Sequence, residues 1–263
     1  MKMRLALGLG AASVIAALSA RMFAADALNT TTQSGRPVHE ILMKIEEQFH
    51  WRIAYEEGPV RFEQDLIPLA SRTGKTMFIH RAHPVSISLP ALTSNSTEMK
   101  RATLKAVFEA FNGSGNPEEF RAFDEFGYIN VVQTKIVGPD GRLESFVPLL
   151  DTAVTLPRQS YSLYQLVSSI INQVSAARNV SITMATIPTS FFINSSVTEE
   201  SSGEPARKVL MRAFETVNGP RLAQRIERVR LTWDMMYDPA ERTYFFNVDN
   251  IEPEIDLSGA SKQ

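Results

Sequence analysis

Ala102-Thr-Leu-Lys-Ala-Val-Phe-Glu-Ala-Phe-Asn112-Gly113 and Lys208-Val-Leu-Met-Arg-Ala-Phe-Glu-Thr-Val-Asn218-Gly219 decide how this chain folds. At an offset of 106 (218 minus 112), Leu104 matches Leu210, Phe108 matches Phe214, Glu109 matches Glu215, and Asn112-Gly113 matches Asn218-Gly219. Apolar residues at 104, 107, 108 and 111, and at 210, 213, 214 and 217, recur with i, i+3, i+4, i+7 spacing. That spacing lines one face of a helix. The closing Asn-Gly predicts a helix stop, because Gly takes the left-handed conformation without a Cβ clash. Self-similarity of this kind reads as one structural unit used twice.

Each copy has an earlier amphipathic helix. Val38, Ile41, Leu42, Ile45 and Phe49 form one stripe; Leu163, Leu166, Val167, Ile170, Ile171 and Val174 form the other, with Ser162 as its expected N-cap. A strand follows each helix, Arg52–Tyr55 and Val180–Met184, the latter alternating apolar and polar. Each copy ends in a hairpin. One turns through Glu125-Phe126-Gly127, the other through Asp238-Pro239-Ala240-Glu241. Leu149–Leu156 opens the second unit as a strand, and its weak counterpart is near Ala27–Thr32.

The expected fold class is therefore α+β: two tandem small β-α-β-α-β-β modules, each with two helices on one face of a three- to four-stranded sheet. Residues 28–134 form the first module, with an extra arm at about 62–95 that carries Phe78-Ile-His and Val85–Leu89. Residues 135–148 are a linker hairpin, 149–249 the second module, and 250–263 a disordered tail. In the second module a Ser/Glu-rich loop from Ser195 to Glu204 precedes the last helix.

The first 27 residues read as a secretory signal peptide. Lys2 and Arg4 precede an uncharged run from Leu5 to Ala20, and Ala25-Asp26-Ala27 is the best cleavage pattern. The run is shorter than the roughly 20 residues a spanning helix needs. The expected location is periplasmic or secreted, with no transmembrane segment after cleavage. The chain has 27 Lys+Arg and 29 Asp+Glu, a formal net charge of −2, so no long-range field favours nucleic acid. It has no Cys, which excludes a disulfide, a thiolate nucleophile and a thiolate metal site.

Taken together, these features resemble the STN module, the N-terminal domain of secretins and TonB receptors, and the related ring-building N-domains of secretins. The resembling residues are Leu163-x-x-Leu166-Val167-x-x-Ile170, Val180-Ser-Ile182, Ala206-x-x-Val209-Leu210-x-x-Ala213-Phe214 and the hairpin ending at Asn247-Val248. The first unit repeats them with Ile41-Leu42-x-x-Ile45, Ile53-Ala54-Tyr55, Ala102-x-Leu104 and Ile129–Val132. The resemblance implies periplasmic modules that bind or signal through protein contacts. On this reading no barrel or secretin pore domain is expected to follow, and the long arm is not typical of the family.

Catalytic sets are not legible. His39-Glu40 begins a helical zinc motif that fails at Met43, and His80-x-x-His83 has no third ligand in view. Ser71–Thr76 contains Gly-Lys-Thr, but the Gly a phosphate loop needs is replaced by Leu69. Glu56-Glu57, Glu118-Glu119 and Glu199-Glu200 are expected to be solvated charges. No cofactor or metal is expected.

Trp233, Tyr237, Tyr244, Phe245 and Phe246 are the candidate contact surface, either with a partner or between the modules. The leading expectation is a non-enzymatic envelope module that binds a protein through sheet edges or hairpin faces and is able to oligomerise. The alternative is a small-ligand or sensing domain with a deep pocket. A hydrolase uniting His80 or His83 with acidic residues comes last.

Overall fold

Alternation of side chains along two central strands organises this molecule. A computed structural model describes residues 27–70, 76–91, 95–218 and 230–251. The signal-peptide reading, apart from Ala27, and most of the expected tail lie outside the described residues.

In chain order the elements are β1 (Leu28–Thr32), α1 (Pro37–Phe49), β2 (Ile53–Glu56), β3 (Leu66–Ala70), β4 (Thr76–His80), β5 (Val85–Leu89), α2 (Thr97–Gly113), β6 (Glu119–Glu125), β7 (Tyr128–Val137), β8 (Leu143–Ser145), β9 (Ala153–Ser162), α3 (Leu163–Arg178), β10 (Ser181–Met184), α4 (Thr189–Asn194), β11 (Ser196–Pro205), α5 (Ala206–Asn218), β12 (Arg230–Asp238) and β13 (Thr243–Ile251). The fold is α+β. Among the described residues no helix is long and apolar enough to cross a membrane.

Local chemistry sets several boundaries. Ser162 accepts from Gln165 N, and the Gln165 side chain returns the bond to Ser162 N, a full capping box on α3. Phe126 (φ 49) and Gly127 (φ 72) close the β6–β7 hairpin with two positive φ angles. A Cβ on Gly127 would collide with the Arg52 guanidinium. Asp238 Oδ1 accepts the N–H groups of Ala240 (2.7 Å) and Glu241 (3.2 Å) in the β12–β13 turn. The expected stop at Asn112-Gly113 is displaced. Ser114 N still bonds Ala110 O at 3.1 Å, so the left-handed glycine is Gly115 (φ 90). Gly219 lies outside the described residues.

Connectivity repeats between the halves. β2 pairs parallel with β7, which pairs antiparallel with β6; likewise β10 pairs parallel with β13, which pairs antiparallel with β12. β1 pairs with β5, and β9 with β11. The unit is thus β-α-β-β-α-β-β, one strand longer than the sequence pattern suggests. Within the expected 62–95 arm, Val85–Leu89 belongs to this repeated framework, and the inserted hairpin is β3–β4. The Ser195–Glu204 segment is a strand, not a loop. Its inward positions include Glu199 and Ser201, bonded to Arg212 and to Val154 O, so the apolar alternation of a strand is missing.

The halves do not keep separate sheets. β12 pairs parallel with β2 (Asp234↔Tyr55, Met235↔Glu56), giving one sheet in the order β10-β13-β12-β2-β7-β6, with β8 on β7. Side chains then sort by face. Ile53, Tyr55, Ile129 and Val131 enter a core with α1 and α2. Ala54, Tyr128, Leu231, Trp233 and Met235 enter a second core with α3 and α5. The two helix pairs therefore cover opposite faces, and α5 reaches across the junction onto the first half.

That reach is locked by a buried ion pair. Arg207 at the start of α5 binds Glu56 and, at 3.1 Å, Asp151; it also lies over the Trp233 ring at 5.3 Å. Glu56 additionally accepts from Leu149 N and Leu150 N. Burial is the largest effect on Glu56 and raises its pKa, and the Arg207 charge opposes it. Further along α5, Asn130 Nδ2 meets Met211 Sδ at 3.3 Å and Arg52 pairs with Glu215. Removing one member strands a buried charge. Arg207→Ala is expected to lose about 3–5 kcal/mol in urea denaturation, and Glu56→Gln with Arg207→Met to recover most of that loss. Equal stability of the single and double variants would contradict this role.

Candidate functional site

Polar side chains converge on a cleft over the first half, between the start of α1, the end of β2, the β3–β4 hairpin and Pro239 of the β12–β13 turn. It encloses about 610 Å³, counting space open to solvent, and about 40 Å³ of that admits the centre of a water molecule. Val38, Phe111, Phe120 and Ile136 form the apolar wall.

The charged groups there are mutually engaged. Arg36 Nε lies 2.8 and 3.1 Å from the Glu57 oxygens, and Tyr237 N donates to Glu57 Oε1 at 2.6 Å. His80 stands 3.2 Å from Gly35 O through Nδ1 and 3.3 Å from Glu118 Oε1 through Nε2. A carbonyl only accepts, so Nδ1 carries the proton. The hairpin approaches so closely that a Cβ on Gly35 would collide with His80 O. Burial opposes a charge on His80, but its hydrogen bond to Glu118 and the charges of Glu118, Glu57 and Asp65 outweigh it and raise the pKa. Asp65 is raised by desolvation. Glu118 Oε2 is buried with no partner among the described residues.

A second concavity lies between α1 and β13, lined by Glu40, Met43, Lys44, Glu46, Glu47, His50 and Asp249. Burial pushes the Glu46 pKa up to about 8. Phe245 and Thr183 sit on the face of β10–β13 opposite the second core.

The contact residues expected from sequence divide. Trp233, Tyr244 and Phe246 are buried in the second core, so they are not a surface. Tyr237 is half-buried, 5.0 Å from the Tyr244 ring. Phe245 points the other way and stays half-exposed. Alternation along β13 decides this: one face had to pack on α3 and α5.

The acidic pairs also depart from expectation. Glu56, Glu57, Glu118 and Glu199 are buried, whereas Glu119 and Glu200 are exposed. Each buried carboxylate has a His or Arg partner distant in sequence, which no local pattern announces. The four His are scattered: His39 Nε2 lies 3.5 Å from Asp234, His50 ends α1 at φ 55, and His83 N bonds Asn116. His80 is drawn into the cleft by its contacts with Gly35 O and Glu118. Among the described residues no group of three His, Asp or Glu is placed to hold a metal. Ser71–Lys75 lies outside the described residues. Compared with protein-family models, curated proteins and solved structures, the chain matches none.

Glu46 and His80, both raised, give the same sign. Each favours the folded state fully below its unfolded pKa and loses that contribution as pH rises through its folded value. For Glu46 the window runs from 4.5 to about 8; for His80 it lies above 6.5. Stability should fall across that range. Glu46→Gln is expected to flatten the fall and to gain about 1–2 kcal/mol at pH 8, discounted from the full linkage value because the groove is partly wet. His80→Gln should flatten only the upper part. Urea midpoints measured against pH check this; an unchanged slope in Glu46→Gln would contradict it.

Proposed function

We propose that this protein is a non-enzymatic interaction or assembly module of the bacterial envelope, which holds a protein partner by adding strand to an open edge of its central sheet. One observation carries the reading. The sheet ends at β6 and β10, and among the described residues no strand pairs with the outer edge of either. Such an edge presents unpaired N–H and C=O groups. The chain already joins its own halves this way, through β12 and β2.

Other features support it. The signal-like N-terminus fits work outside the cytoplasm, and the resemblance to STN and secretin N-domain modules fits a role in protein contacts. In the cleft, both His80 ring nitrogens face acceptors, which leaves neither to serve as a general base. A second reading, a small-ligand site in that cleft, is favoured by the buried, unpartnered Glu118 Oε2 against an apolar wall. A ligand donating to that oxygen would raise the thermal midpoint of the parent and not of Glu118→Gln.

The edge reading is tested in the native cells by cross-linking mass spectrometry. The β6–β7 turn has two residues, so Glu125, Phe123 and Arg121 direct their backbone groups at β7, and Asp124 directs its own outward. Asp124→Pro removes one outward N–H and is tolerated at an edge; Thr183→Lys puts an edge-blocking charge on β10. Whichever edge is used, its variant should cut the cross-linked partner about five-fold or more, the worth of one or two backbone bonds. Unchanged yields with both variants would refute the edge mode.

A further inference from the structure

The β12–β2 junction is head-to-tail, and its geometry has a consequence for the free ends. Equivalent positions in the halves follow from register. Tyr55, Val131 and Ala122 stand side by side in the first half, as Met184, Phe246 and Met235 do in the second. All six face their own core. So β10 is the counterpart of β2, and β6 is the counterpart of β12. The junction joins a β2-type edge to a β12-type edge in parallel, and the two edges left over are one of each type. A heterologous contact of this sort leaves one free edge of each type at its ends, and repeats into a ring if the rotation closes or an open chain if it does not.

We infer that a second copy of this chain occupies the open edge: β10 of one molecule pairs in parallel with β6 of the next, with Met184 opposite Arg121 and Ala185 opposite Ala122. This rests on the edge reading and names its partner. The register is that of Asp234↔Tyr55 and Met235↔Glu56 carried to the equivalent residues.

The same operation says what the incoming α2 meets. In the junction, the α5 stripe Arg207, Met211 and Glu215 faces the first half. At the offset of 106 (207 minus 101) its counterparts on α2 are Arg101, Lys105 and Glu109, all exposed. Asn130, which meets Met211, corresponds to Phe245. Lys105 of the incoming copy therefore falls on the half-exposed Phe245 ring, a cation–π contact. Glu56 corresponds to Ala185, so the new contact has no counterpart of the buried Arg207 pair. The association is consequently weak, reversible and salt-sensitive, unlike the internal junction.

The purified protein tests this by sedimentation velocity and thiol cross-linking, the latter aided by the absence of native Cys. Ala122→Cys and Ala185→Cys are made separately and mixed with a short bifunctional thiol reagent. Expected are mass growth with concentration that weakens as salt rises, a cross-linked dimer dominated by the mixed pair, and at least a five-fold fall in that dimer when Thr183→Lys is added to the Ala185→Cys chain. A monomer at every concentration, or same-variant dimers as abundant as mixed ones, would overturn the proposal. If the purified protein is monomeric but the edge variants still abolish a cross-link in cells, self-association fails and the edge reading stands. Loss of both removes the edge reading as well.

Discussion

The parallel pairing of β12 with β2 is the constraint on which the rest depends. It makes two three-stranded halves into one sheet and forces their helix pairs to opposite faces. Parallel pairing at that point requires the second half to be flipped about an axis running across the strands. A flip of that kind exchanges faces while preserving strand order. Ala54 and Glu56 consequently look into the second half's core, although β2 belongs to the first.

Burying Glu56 and Arg207 together follows from that geometry. The position on β2 that faces away from α1 and α2 is covered by α5, so it must be either apolar or paired. Here it is paired, and Glu56 also satisfies the N–H groups of Leu149 and Leu150 where the chain passes between halves. A bridge of this kind gives little net stability over an apolar pair but penalises every arrangement that separates its members. It fixes how the halves meet. Arg101 and Lys105 occupy the same helical positions on α2, but their partners Asp124 (3.4 Å) and Glu109 (3.6 Å) lie on their own half, and both ion pairs stay exposed.

Much of this was legible in the sequence. The helical stripes of α1, α2, α3 and α5 stand out because each buries a full apolar face; Ser162 marks the start of α3 and Asp238 the β12–β13 turn through bonds to their own neighbouring backbone. β11 was not legible, because Glu199 and Ser201 take inward positions and are satisfied by Arg212 and Val154. The joining of the halves was not legible either. A two-residue parallel contact leaves no periodic trace, and the partners Glu56 and Arg207 lie 151 residues apart. The aromatic run Tyr244-Phe245-Phe246 shows the limit of pattern reading: alternation guarantees that one ring faces outward, and only packing tells which.

The claim that the halves form one structural body is tested most directly by following both cores in a single protein. Trp51 lies in the first core and Trp233 in the second, and the chain has no other Trp. Labelling with 5-fluorotryptophan gives two fluorine resonances, assigned by Trp51→Phe and Trp233→Phe. Titrated with urea, both native signals should vanish over the same range with the same midpoint, because the shared sheet and the buried bridge couple the cores. One native signal persisting after the other has gone would show that the halves unfold separately and would contradict the account.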